Sequence, residues 1–205
     1  MTILRDGRTG NTMRIDANNR ASTSAITEPL ADFAAEKGVK FNINTGDITL
    51  TNATATSVLY LKNNENSDLL VTALIYNLGN TASGTGDVKI DVIRNPTAGD
   101  IVTNANDALV GSGVSANQNY GSNTALSVNA YKGASGETAF SDGAVSVSTR
   151  SSSNTGRIIV SLGALVLPKG ASLGVNYTPP TSNTSQITQF AVACYLKNEE
   201  VEAFK

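Results

Sequence analysis

Asp87-Val-Lys-Ile-Asp-Val-Ile-Arg94 alternates with a period of two. Val88, Ile90 and Val92 fall on one side of an extended chain, and Lys89, Asp91 and Ile93 on the other. That is the pattern of a strand with one face on a core. Upstream, Leu69–Leu78 is a longer apolar run containing the β-favouring Val71, Thr72, Ile75 and Tyr76. Ser57–Lys62 precedes it and ends at the polar loop Asn63-Asn-Glu-Asn-Ser-Asp68. Val39–Ile43 and Ile48–Thr51 flank Asn44-Thr-Gly-Asp47, and this arrangement predicts a hairpin. Downstream, strands are expected at Thr124–Tyr131, Ala144–Ser148, Gly156–Ser161, Ala164–Leu167, Ala171–Tyr177 and Ile187–Leu196. Pro168-Lys-Gly170 reads as a tight turn with Pro at its first central position, and Pro179-Pro180 ends a strand.

Many short strands at even spacing predict an all-β chain: a jelly-roll-like β-sandwich with an N-terminal arm and one short helix. Three parts are expected. Residues 1–27 form an extended arm, 28–38 a short helix or linker, and 39–205 the sandwich body. The helix is read from Thr27-Glu-Pro-Leu-Ala-Asp-Phe-Ala-Ala-Glu-Lys-Gly38. Pro29 suits its first turn, Gly38 its end, and Leu30, Phe33, Ala34 and Lys37 share a side. The stretch from Pro96 to Tyr120 reads as irregular loop with a short strand near Ala108–Val110. Alternation places Leu59, Leu61, Leu70, Thr72, Leu74, Val88, Ile90, Val92, Ile159, Leu173, Val175, Val192 and Cys194 in the core.

Composition limits the chemistry. The 205 residues include no His, no Trp and one Cys, with 16% charged residues and a net charge of −2. Serine nucleophiles have no imidazole to activate them and no Ser-x-x-Lys run is present, so an enzyme is not expected. Asp100 and Asp107, with Asn104 and Asn106 between them, lack the central Gly and terminal Glu of a Ca²⁺ loop, and they read as a solvated loop. Gly84-Thr-Gly86 and Gly111-Ser-Gly113 lack the Lys-Ser/Thr of a phosphate loop. No cofactor or metal is expected. The charge balance gives no pull toward nucleic acid or an anionic membrane. No run reaches the ~18 apolar residues of a membrane span. The N-terminus lacks the apolar stretch of a signal peptide, which predicts synthesis in a cytoplasm. Cys194, within Phe190-Ala-Val-Ala-Cys-Tyr-Leu196, reads as a buried apolar residue. Tyr120, Tyr131 and Tyr177 lie nearest to loops and are the candidates for stacking on a sugar.

The arm carries the charge contrast. Residues 1–27 hold four Arg and two Asp, a sum of +2, so with −2 for the whole chain the remaining residues sum to −4. Arg5, Arg8, Arg14 and Arg20 are candidate contacts to an acidic partner, with Ile15 as an apolar anchor, and the arm is expected to order when laid on that partner.

Phe41-Asn-Ile-Asn-Thr-Gly-Asp-Ile-Thr-Leu-Thr51, Val58-Leu-Tyr-Leu-Lys-Asn-Asn-Glu65 and Asp68-Leu-Leu-Val-Thr-Ala-Leu-Ile75 resemble segments of tailed-bacteriophage virion proteins. So do Leu167-Pro-Lys-Gly-Ala-Ser-Leu-Gly-Val-Asn-Tyr-Thr-Pro-Pro-Thr-Ser-Asn-Thr-Ser185 with the closing strand to Leu196, and the arm's Asp6-Gly-Arg-Thr-Gly-Asn-Thr-Met-Arg-Ile-Asp16. The resemblance covers about two thirds of the chain, is weakest through residues 96–165, and is nearest to capsid decoration (cement) proteins. It implies a β-rich, often trimeric subunit whose partners are the major capsid protein or other virion subunits. It brings no catalytic residue with it. Tail, baseplate or head-fibre components resemble the chain in the same way, and a host-glycan-binding module is the alternative from another class.

Overall fold

The computed structural model describes residues 3–5, 12–14, 30–51, 53–79, 87–103, 115–151, 156–181 and 185–197. β1 (Ile3–Arg5) and β2 (Thr12–Arg14) pair with each other. The short helix α1 (Leu30–Glu36) leads into β3 (Lys40–Leu50), β4 (Thr56–Asn63), β5 (Leu69–Leu78) and β6 (Val88–Arg94). Then come a one-turn helix α2 (Asp100–Thr103), β7 (Ser115–Asn117), β8 (Val128–Lys132), β9 (Ala144–Ser151), β10 (Gly156–Leu167), β11 (Ser172–Thr178) and β12 (Gln186–Leu196). All strand pairs are antiparallel.

The body is a two-sheet sandwich. The first sheet runs β10-β5-β12-β3-β7 and the second β8-β4-β11-β6-β9. Without β7 and β8, eight strands remain, and in each sheet the last strand of the chain to join lies between the first two. This is the double-sheet jelly roll that the sequence predicts. β7 and β8 belong to the long connection from β6 to β9, and they widen both sheets on the same lateral side. The opposite side is bounded by β10 and β9.

The alternating sequence behaves as its period requires. Val88, Ile90 and Val92 are buried between the sheets, together with Leu59, Leu61, Leu74, Leu173, Val175, Val192 and Cys194. Leu70 is buried as well. Two of the expected core residues are not. Thr72 is a bulge on β5, the extra residue opposite β12, where Ala193 and Cys194 pair with Ala73 and Val71, so the inward parity passes from Leu69 and Val71 to Leu74, Tyr76 and Leu78. Its hydroxyl donates to the Ala193 carbonyl at 3.2 Å. Ile159 lies on the outward parity of β10, where Ile158 and Val160 pack inward, and it is 59% exposed.

Other expectations need correction. Asn44-Thr-Gly-Asp47 does not turn the chain: β3 continues through it along β12. Thr45 and Gly46 stand opposite Phe190 alone, with Gly46 at φ 64°. This is a bulge built from turn residues. Asn44 Oδ1 accepts from Gly46 N at 2.9 Å, and Thr45 Oγ1 accepts from Phe190 N at 3.0 Å, standing in for a backbone carbonyl. Gly156–Leu167 is one strand instead of two, because its break at Leu162–Ala164 is again a bulge, with Gly163 at φ 67°. The turn after it is closed by Ala171 N donating to Pro168 O at 2.9 Å. Pro168 is therefore the first residue of the turn, with Gly170 (φ 81°) taking the left-handed position. α1 is joined by a second helix, α2, inside the stretch read as irregular. β8 begins at Val128 and not at Thr124. The strand expected near Ala108–Val110 lies outside the described residues.

Candidate interaction surfaces

The jelly roll leaves four places where another molecule could be met: the arm, the two outer sheet faces and the lateral edges.

In the arm, antiparallel pairing puts Arg14 opposite Ile3 and Arg5 opposite Thr12. Arg8, Ile15 and Arg20 lie outside the described residues.

The outer face of the second sheet is covered by the chain itself. One row across it reads Tyr131, Tyr60, Gly174, Ile93 and Val145. Tyr60 and Ile93 form a second apolar cluster with Ile101 of α2 and Phe140. Tyr131 stacks on Tyr60 with centroids 5.7 Å apart, and the Phe140 ring lies 6.2 Å from Tyr60. Phe140 is held by a reciprocal pair: its N donates to Asn176 Oδ1 at 2.9 Å, and Asn176 Nδ2 donates to its carbonyl at 3.0 Å. Asn176 so imitates one rung of a β-ladder at a place where no strand runs. Gly174 makes the fit possible, since a Cβ there would lie 2.6 Å from Phe140 Cε2 and 2.8 Å from Pro96 Cγ. Asp142 fastens the same covering segment. Its carboxylate accepts from the Thr97 hydroxyl and from Thr97 N and Ala98 N, the last at 2.9 Å. These bonds, the Thr97 hydroxyl first, hold its pKa below the usual carboxylate value. Asp100 accepts from Thr138 N at 2.7 Å and so ties α2 to the segment. Asn104, Asn106 and Asp107 lie outside the described residues.

Among the described residues, the first sheet carries no such cover over β10 and β5. Ile159, Ile75, Ala191 and Asn44 make one outward row, and Val166, Leu70, Tyr195 and Lys40 another. Ile159 and Val166 are more than half exposed. α1 packs against β3 and β12, and Leu70 and Tyr195 are buried.

On the β9–β10 side, a groove of about 420 Å³ opens where β10 leaves the first sheet and β11 enters the second. Leu165, Val166, Leu167 and Pro168 form one wall, Ile93 and Leu173 part of the other, and Arg94, Asn95, Ser146 and Ser172 supply polar groups. The corner is rigidly held. Asn95 (φ 48°) donates its N–H to Ser172 O at 2.9 Å and accepts from Ser172 N through Oδ1 at 2.8 Å. Fully buried Asn63 donates to Ser67 O and Leu167 O and accepts from Glu65 N, so it braces the adjoining loop.

Of the three candidate stacking tyrosines, one is presented. Tyr177 is buried against Phe190 and donates to Gln186 Oε1 at 2.6 Å. Tyr131 is engaged with Tyr60. Tyr120 is 99% exposed, at the tip of a turn after β7. That turn is tightly bonded: Asn117 Nδ2 reaches Gly38 O at 2.7 Å, Asn119 Nδ2 reaches Glu36 O at 2.8 Å, and Gly121 N reaches Asn119 Oδ1 at 3.0 Å. Sequence reading grouped Tyr120 with two structural tyrosines. The flanking run Asn117-Gln-Asn-Tyr-Gly was the signal that set it apart, since Asn and Gly at this spacing build a closed turn.

The reactive side chains have structural surroundings. Cys194 is buried, and burial pushes its thiol up to about 12. Among the described residues, no three His, Cys, Asp or Glu side chains cluster to hold a metal ion, and no helix is long and apolar enough to cross a membrane. No family profile matches the chain, and no curated protein is similar to it.

Proposed function

We propose that this chain is a non-enzymatic virion structural protein of a tailed bacteriophage, one that decorates and stabilises the capsid through subunit–subunit contacts. The observation that carries the reading is the jelly roll itself, held together by apolar and amide packing and preceded by a basic arm. Viral capsid domains use this architecture. That is an analogy at the level of fold, and folds host many functions. It gains weight from the segments that resemble phage virion proteins, which form β3, β4, β5, β11 and most of β12. In this reading the chain assembles as a trimer in the virion after synthesis in the host cytoplasm, and its partners are the major capsid protein or neighbouring virion subunits. Arg5, Arg8, Arg14 and Arg20 meet acidic groups there, with Ile15 as an anchor. Each exposed pair contributes only about 0–1 kcal/mol, so attachment comes from many contacts on a fixed lattice.

Copy number in purified particles, by quantitative mass spectrometry, tests this. Hundreds of copies support decoration. A handful assigns the chain to a tail, baseplate or head fibre instead. Removal of residues 2–27 is expected to leave the body folded and to abolish particle binding, and full occupancy by the truncated chain would exclude the arm as the contact. A second reading, a host-glycan-binding module, is favoured by the exposure of Tyr120 and by the use of jelly rolls in lectins. Glycan-array binding that is lost in Tyr120→Ala would support it.

A further inference from the structure

We infer that copies of this chain join head to tail, the Tyr120 turn of one copy seated in the groove beside β10 of the next. The inference rests on the reading of the chain as a self-associating subunit and names the surfaces that reading requires.

The placement of the two surfaces is the first argument. Across the first sheet, Leu167 pairs with Leu69, Leu69 with Leu196, and Leu196 N donates to Val39 O at 2.9 Å. The groove beside Leu167 and the turn fastened to Gly38 therefore lie at the same end of the sandwich. The strand order β10-β5-β12-β3-β7 puts them on opposite lateral sides. A projecting group and a recess, level with each other on opposite flanks, form a heterologous pair of surfaces, and such pairs close into rings when the rotation allows.

The chemistry of the two surfaces agrees. A Tyr held on a bonded turn loses little freedom on docking, and Tyr is among the residues most enriched at binding hot spots. The groove's volume suits an aromatic ring, with Leu165, Val166, Leu167 and Pro168 to cover its faces and Ser146, Asn95 and Ser172 to meet a hydroxyl. Each rim offers one charge that can pair with the other, although exposed Lys37 stands next to Glu36. Exposed Glu36 lies beside the Tyr120 turn, whereas exposed Arg94 lines the groove. Facing charges of this kind set register more than affinity.

Sedimentation velocity on the full chain tests the inference, with Tyr120→Ala to remove the projection and Val166→Glu to spoil the groove. Both sites are exposed, and circular dichroism checks that each variant is folded. The wild type is expected to assemble, and each variant to associate at least about tenfold more weakly. Mixed together, the two variants should form one-to-one dimers and nothing larger, because each retains one of the two surfaces. Glu36→Arg and Arg94→Glu should each weaken assembly and together restore it. A wild type that stays monomeric at millimolar concentration overturns the inference. Variants that assemble like the wild type also overturn it while leaving self-association standing through another surface. Particle occupancy, measured separately, reports on decoration whatever the free chain does.

Discussion

On the outer side of the second sheet, Tyr60 and Ile93 are buried beneath Phe140 and α2. On the outer side of the first sheet, Ile159 and Val166 stand 59% and 51% exposed. The same jelly roll therefore carries one face closed by its own β6–β9 connection and one face left open over β10 and β5. The closed face has specific fastenings: the Asn176–Phe140 pair, the Asp142 clamp and the missing Cβ at Gly174. Nothing comparable lies over Ile159 and Ile75 among the described residues. Among the described residues, the cover over β4 and β6 is specifically fastened, whereas on the first sheet α1 packs over β3 and β12 and leaves Ile159 and Val166 exposed, so the two faces differ. The closed side belongs to the stability of the fold, and the open side and the flanks offer the exposed apolar surface.

This contrast can be broken most directly at Phe140. Phe140→Ala is expected to destabilise the fold by about 3–5 kcal/mol, the range for emptying a buried aromatic site, measured by denaturant unfolding. A loss below about 1 kcal/mol would mean that the cover is not part of the cooperative unit. Gly174→Ala is expected to cost about 1–3 kcal/mol through overpacking against Phe140. In the Phe140→Ala background its cost should shrink, since the two positions share one contact, and a double-mutant cycle reads this coupling. Asp142 gives a smaller, pH-dependent effect. Its folded pKa is below the unfolded one, so its contribution is present above the ordinary carboxylate range near pH 4 and is lost as pH falls through the lower folded value. Asp142→Asn should lower stability at pH 7 and remove that part of the acid dependence, seen as denaturation midpoints of the two proteins that converge at low pH. The smallest effect is expected on the open face: Ile159→Thr should change stability by less than about 0.5 kcal/mol. A larger loss would show that this face is packed after all.

Much of this contrast was legible in the sequence, and the illegible part has a definite cause. The alternation of Val88, Ile90 and Val92 located a strand and its inward side correctly, because a period of two has one solution when no bulge interrupts it. At Thr72 a single extra residue reverses the parity, and nothing in Val71-Thr-Ala73 marks it. Strict alternation therefore places Thr72 in the core, while the inward positions before it are Leu69 and Val71. Asn44-Thr-Gly-Asp47 is the converse case. Its residues favour a left-handed backbone, and Gly46 adopts it (φ 64°), but β12 pairs along both sides, so the expected hairpin is a bulge. The closed face left a readable trace. Val58-Leu-Tyr-Leu61 and Val92-Ile93 are apolar on both parities, as strands covered on both sides are, but Ile158-Ile-Val160 and Leu165-Val-Leu167 on the open face share the pattern, so it does not by itself tell the two faces apart. What covers the closed face, the α2 turn and Phe140, comes from a polar stretch whose docking depends on long-range partners such as Asn176. The candidate arm residues were legible only as charge, and Tyr120 only as one aromatic among several.

The strand order also sets a timetable for folding. β12 lies between β3 and β5, and β11 between β4 and β6, so the middle of each sheet is filled by the last two strands of the body. Gln186 pairs with Leu50 across more than a hundred residues of intervening chain. Until residue 196 has left the ribosome, β3 and β5, like β4 and β6, present facing edges with an empty slot between them. Folding of this body therefore waits until β12 has been made, and its many distant pairings place it among domains that fold in milliseconds to seconds instead of microseconds. That interval of open edges is when partially made copies are most exposed to pairing with one another.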